Sequence, residues 1–241
     1  MLDKFNRMDN NKKVPIVIGI SVGLIIFIIL FSYFKNNSSN FNDLREDNTK
    51  PFVYTISTKK NGIYRIERPY VNIGDSFGKS INEDIDSYIS DYIEKDKLIL
   101  SYEYNINGKV LSLVIKTVDY DVKNVPEVYF KTYNINLEEE KLLSDEELLS
   151  IYNLTNADVE NIIENKFNKW YKDVVEKGYI NEEECDYECF LNYREVDDYL
   201  DNVVYYIEQG KLVAYKPFVF YSIFGEEKYF KESDFMFILS E

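Results

Sequence analysis

Leu98–Tyr120, LILSYEYNINGKVLSLVIKTVDY, is the stretch whose pattern decides the fold. Two β-rich runs, Leu98–Ile106 and Lys109–Tyr120, meet at Asn107-Gly108, and Asn-Gly between alternating apolar runs is the strongest short-range hairpin signal. Leu111, Leu113 and Ile115 alternate with Ser112, Val114 and Lys116. A period of two puts each set on its own side of a strand, so one face is expected to meet a core and the other solvent.

The same grammar extends outward. Val53–Lys59 and Ile63–Val71 form another strand pair joined at Lys60-Asn61-Gly62, and Glu127–Asn136 reads as a further strand with Val128, Phe130, Tyr133 and Ile135 apolar. Between the pairs, Asp75–Asp96 carries Phe77, Ile81, Ile85, Tyr88, Ile89, Tyr92 and Ile93 at spacings of three and four, the stripe of an amphipathic helix. Ser144-Asp145-Glu146-Glu147 is a capping-box pattern that opens a short helix. A longer helix is predicted from Thr155 or Asn156 to about Lys177, closed by Gly178. Glu182–Asn202 reads as acidic and helical. Strands return at Val203–Gln209, Lys211–Tyr221 and Phe235–Leu239. The expected fold class is α+β, an antiparallel β-sheet with packed helices, preceded by a single N-terminal transmembrane helix.

That helix is Val14–Phe34, VPIVIGISVGLIIFIILFSYF, 21 residues without a charge. At about 1.5 Å per residue it matches the hydrocarbon core of a bilayer. Residues 1–13 carry Lys4, Arg7, Lys12 and Lys13 against Asp3 and Asp9, so this cytoplasmic stub is expected inside and the rest outside. The run exceeds a signal-peptide core and ends in Phe31-Ser32-Tyr33-Phe34 without a small-residue cleavage pattern, which favours a retained signal-anchor. Gly19 and Gly23 share a face; they read first as ordinary span residues, with a homodimer through that face as the alternative. Residues 35–50, Asn/Ser-rich, read as a flexible linker, and 51–241 as the extracytoplasmic domain.

Subtracting the stub's four basic and two acidic residues from the 28 and 43 of the whole chain leaves that exported part with a net charge of −17. Such a charge argues against nucleic acid and anionic lipid surfaces as partners; it favours basic partners or simple solubility. A bias toward Asn, Lys, Ile and Tyr points to an AT-rich genome and so to a low-GC bacterium, whose outer compartment is the cell-wall space.

The chain has no His. That removes Ser-His-Asp and Cys-His nucleophile systems and His-ligated zinc. It carries no glycine-rich phosphate loop, and no cofactor or metal is expected. Acidic clusters occur at Asp119/Asp121, Glu138–Glu140, Glu182–Glu184, and Glu195 with Asp197 and Asp198. Runs of neighbouring acids are ordinarily solvated faces, so no catalytic residue is assigned, although two carboxylates at the right distance suffice for a glycosidase. Cys185 and Cys189 lie at i and i+4 in an oxidising compartment; the spacing admits a disulfide or two buried thiols. With 22 Tyr, 16 Phe and one Trp, most aromatics read as core packing, and those left exposed could stack on sugars or anchor a protein partner; Tyr215, Phe218 and Tyr221 in the last β region are the candidates.

The closing phrase Val203-Val-Tyr-Tyr-Ile-Glu-Gln-Gly210-Lys-Leu-Val-Ala-Tyr-Lys-Pro217-Phe218, with Glu232-Ser-Asp-Phe235, resembles the end of an exported bacterial domain. That domain forms the outer part of RsiV-type lysozyme-sensing anti-sigma factors and precedes the catalytic domain of some peptidoglycan deacetylases. Ile66-Glu-Arg-Pro69-Tyr70 resembles its opening strand, Ile81-Asn82-Glu-Asp-Ile85 its first helix, and Leu98–Tyr120 its central hairpin. The family's Gly-Gly-Ala-His stretch is replaced here by Tyr120–Pro126, YDVKNVP. A thirteen-residue stub cannot hold a sigma-binding region, and the deacetylase catalytic domain is missing. The resemblance thus implies fold and location: a non-enzymatic, membrane-anchored binding domain whose ligand is peptidoglycan or a basic protein such as lysozyme. The alternatives are a carboxylate-based cell-wall hydrolase and a structural or accessory subunit of a membrane complex.

Overall fold

The computed structural model describes residues 41–120, 127–217 and 236–240. Val14–Phe34, the stub, and the candidates Phe218 and Tyr221 lie outside the described residues. Among those described, no helix is long and apolar enough to cross a membrane.

The hairpin that decides the fold is β3 (Leu98–Asn107) with β4 (Val110–Asp119), paired in unbroken antiparallel register from Leu98↔Asp119 to Asn107↔Val110. Asn107 closes its strand rather than entering the turn, and Gly108 opens the two-residue loop at φ 58°, a backbone setting that disfavours any side chain. β1 (Val53–Asn61) and β2 (Tyr64–Val71) pair antiparallel, with a register shift between Thr55 and Ser57. β2 then crosses over through α1 (Ser76–Ser90) to run parallel to β3. A helix between two strands of one sheet makes parallel pairing available where a tight hairpin cannot. β5 (Glu127–Asn136) and the two-residue β6 (Lys141–Leu142) complete a six-stranded sheet in chain order, antiparallel at every junction but β2–β3.

α1 covers one face. Asp75 caps it by accepting from Gly78 N at 2.9 Å, and Ile81, Ile85 and Ile89 form its buried stripe. Buried Asn82 holds both backbone groups of Val71, accepting from its N–H at 2.8 Å and donating to its carbonyl at 2.9 Å. Tyr88 Oη meets Thr117 Oγ1 at 2.9 Å, Tyr133 donates to Asp84 at 2.7 Å, and Arg68 grips Asp86 through two nitrogens. The helix is thereby tied to β2, β4 and β5.

The opposite face of β4 is buried as well: Ser112 is 1% exposed and Val114 8%. Sequence alternation predicted solvent there, because the layer that covers it arrives nearly a hundred residues later. That layer is a second sheet, β7 (Val204–Glu208), β8 (Lys211–Tyr215) and β9 (Met236–Ile238), antiparallel in that order. Tyr206, Val213 and Tyr215 pack with Val114 and Phe130 of the large sheet. Tyr205, Ile207, Leu212, Ala214 and Phe237 pack instead with the helices α2 (Asp145–Ile151), α3 (Asn156–Glu176) and α4 (Tyr187–Tyr193). Alternate residues of the small sheet thus belong to two cores, which is why this part of the chain reads as a continuous apolar run.

Three further expectations change. The large sheet is mixed and not antiparallel throughout, because the crossover through α1 brings β3 parallel to β2. Glu182–Asn202 is not one helix; only Tyr187–Tyr193 is α-helical. Its end is a left-handed closure in which Glu195, at φ 54°, lets Val196 N reach Leu191 O at 3.1 Å while its own N–H reaches Asn192 O at 3.1 Å. The ordered fold also begins before Pro51, within the expected linker. Leu44 O accepts from Gly74 N at 3.0 Å, and the buried Asn72 side chain accepts from Asp47 N at 3.0 Å while donating to the Asp47 carbonyl at 2.9 Å. One compact unit accordingly starts at Leu44.

Candidate functional site: an acidic surface pinned by a disulfide

Residues 181–201 carry nine carboxylates, Glu182, Glu183, Glu184, Asp186, Glu188, Glu195, Asp197, Asp198 and Asp201, and all nine are exposed. The one base of this stretch, Arg194, is fully buried, its guanidinium 4.3 Å from the Trp170 ring centre and 5.0 Å from that of Phe190. The surface is therefore negative without an exposed counter-charge from its own segment.

Four devices hold so repulsive a segment in place. Cys185 and Cys189 are joined in a disulfide with Cα atoms 5.2 Å apart. Cys185 lies just before the N-cap of α4 and Cys189 at its third position, so the bridge straddles Asp186, whose carboxylate accepts from Cys189 N at 2.9 Å. Phe190, fully buried, meets Trp170 edge-on with centroids 5.4 Å apart and touches the rings of Tyr171 and Tyr187. Tyr171 donates to the Cys185 carbonyl at 3.1 Å. Lys216, 3% exposed, donates from one ammonium to the carbonyls of Asp198 and Asp201, both at 2.6 Å. Burial pushes that ammonium below the ordinary lysine range, against the pull of Asp201, Asp198 and Asp197.

The surface also carries phenols. Tyr187 and Tyr199 share a hydroxyl–hydroxyl bond of 2.9 Å, and burial pushes both above the usual tyrosine range, with Glu164 of α3 adding its charge. Beside them, an open depression of about 420 Å³ is lined by Tyr171, Lys172, Val175, Glu176 and Glu182. Carboxylates around partly buried phenols can bind cationic side chains through charge and ring faces. Among the described residues, no group of three or more Cys, Asp or Glu is placed to hold a metal ion.

The residues singled out in sequence fall differently. Tyr215 is 3% exposed, stacks on Phe130 at 4.0 Å between centroids, and donates to the Val128 carbonyl at 3.2 Å. It is a core residue and offers no surface to a ligand, because its side of β8 faces the large sheet. Of the acidic clusters, Asp119 is fully buried and ion-paired with Lys95, and Asp121 lies outside the described residues. Glu138 pairs with Lys109 at 3.3 Å and Glu139 with Lys141 at 3.0 Å. Glu140 shares a hydrogen bond with Asp75, which pushes Glu140 up and holds Asp75 down. The acidic surface at 181–201 was visible in sequence only as charge. The signal that marks it as built is two cysteines set among its acids.

No protein-family model matches the chain, and no curated protein matches it significantly.

Proposed function

We propose that the chain is a membrane-anchored binding domain displayed outside the cell, and that residues 181–201 receive a basic protein of the lysozyme type. The observation that carries this reading is the set of nine exposed carboxylates on a covalently pinned segment whose own base is buried under aromatic rings. Val14–Phe34 supplies the anchor and its basic stub the orientation. The resemblance to the outer domain of lysozyme-sensing anti-sigma factors supports the same ligand, and peptidoglycan is the other ligand it suggests. Opposite charges raise the association rate and set the partner's orientation, and both effects weaken as salt screens them.

The test is binding of lysozyme and of purified cell wall to the full chain in detergent micelles across a salt series. Affinity for lysozyme is expected to fall as salt rises, and to fall further when Glu182, Glu183 and Glu184 are replaced together by Gln. Lysozyme binding that ignores both salt and this replacement would overturn the assignment of the surface. Absence of binding to either probe would remove both ligands.

A further inference from the structure

Between Ile180 and Phe190 only one side chain is buried, that of Cys185. The limb from Asn181 to Cys189 carries five of the nine carboxylates and no base. Its secondary structure is a turn and the first positions of a seven-residue helix, a length that does not hold by propensity alone. The return limb is different, since Phe190, Arg194 and Val196 are all buried and Lys216 holds the carbonyls of Asp198 and Asp201. Cohesion is therefore unequal: packing secures 190–201, whereas 181–189 is held by the bridge, by the bond from Tyr171 to the Cys185 carbonyl and by half-buried Tyr187, whose ring meets Tyr171 and Phe190 and whose hydroxyl meets that of Tyr199.

We infer that the Cys185–Cys189 disulfide is a reducible clamp that keeps the first limb of the acidic surface ordered, so that exposure to a dithiol reductant loosens 181–189 while the sheets stay folded. The exchange is balanced within the two reactants. A thiolate of the dithiol attacks Sγ of half-buried Cys189, its second thiolate resolves the mixed disulfide, and two electrons and two protons pass to the cystine as the dithiol closes to its own disulfide. Once the bridge is open, repulsion among Glu182, Glu183, Glu184, Asp186 and Glu188 acts on a limb whose remaining anchors are buried Cys185 and the half-buried Tyr187 ring. As a control over ligand capture, the clamp rests on the proposed binding of a basic protein to this surface; as a statement about order, it does not.

The experiment is amide exchange on the full chain in micelles, oxidised and then reduced with dithiothreitol, with lysozyme affinity measured on the same samples. The Cys185→Ser, Cys189→Ser double variant serves as a reductant-free counterpart. Exchange across 181–189 is expected to quicken by at least about tenfold on reduction and in the variant, while amides of β4 keep their protection. Unchanged exchange in 181–189 overturns the clamp, and so does loss of β4 protection together with it, which would make the bridge a global staple. Lysozyme affinity, read after the dithiothreitol is removed and in the double variant, so that the disulfides of lysozyme stay intact, is expected to drop several-fold. Failure of the oxidised chain to bind lysozyme would strike the proposed ligand and leave the exchange result to judge the clamp.

Discussion

The Ser112 hydroxyl donates to the Asn134 side-chain carbonyl at 2.7 Å, and between them these two buried residues dock one sheet on the other. Ser112 Oγ also accepts from Ile207 N at 2.8 Å, and Asn134 Nδ2 donates to Tyr205 O at 2.8 Å. Among the described residues β7 is an edge strand of the small sheet, so these backbone groups take their partners from the large sheet. Buried and unpaired, each would cost about 1–3 kcal/mol.

Ser112→Ala and Asn134→Ala are each expected to lower stability by about 1–3 kcal/mol in urea unfolding, with a less than additive double variant. The network acts as a unit: removing Ser112 already frees Ile207 N and loosens Asn134. Additive losses would show that the two residues act separately.

Gly78→Ala is expected to destabilise the fold more than an ordinary helix-surface change. A Cβ built at Gly78 would stand 2.2 Å from the Ile73 carbonyl oxygen, which is backbone and cannot swing aside. The first turn of α1 would have to lift off the segment that feeds it. A loss of roughly 2 kcal/mol or more, read as a fall in Tm, is the expected outcome.

High pH is expected to unfold the protein from about pH 10 upward. Tyr70 donates to Glu46 at 2.8 Å, and that bond above all pushes its pKa up to about 12; burial pushes Tyr205 up to about 12. In the unfolded chain a tyrosine titrates near 10. Between these values the unfolded chain has given up protons that the folded one keeps, so stability is whole below pH 10 and falls as pH rises through 12. Absorbance of phenolate at 295 nm should show these two tyrosines ionising late, and stability should decline over the same interval.

Phe190→Ala is expected to cost about 3–5 kcal/mol and to report itself optically. Phe190 is fully buried against Trp170, the one tryptophan of the chain, and under the Arg194 guanidinium. Fluorescence should shift red as Trp170 gains water. The more conservative Phe190→Leu should keep the fold with a smaller shift.

Much of this was legible locally. The hairpin Leu98–Asp119, the stripe Ile81-Ile85-Ile89, the capping box at Ser144 and the helix start at Thr155 or Asn156 all follow from neighbours within a few residues, where strand alternation and helix spacing speak directly. Glu182–Asn202 misled because its charge pattern carries no sign that Glu195 would take a left-handed turn. Tyr215 misled because an aromatic on a strand looks alike whether it faces water or another sheet.

Strand pairing within hairpins, the amphipathic helix after β2, the acidic character of 181–201 and the apolar span at Val14–Phe34 were determined by the sequence alone, because each depends on residue types at short fixed spacings. The second face of β4, the core position of Tyr215, the burial of Arg194 and Lys216, and the limb held by one disulfide were decided only in the tertiary structure. Each of these depends on which distant surface arrives to exclude water. Ser112 is a polar residue on an outward-facing strand position until β7, some ninety-five residues on, turns it into an anchor.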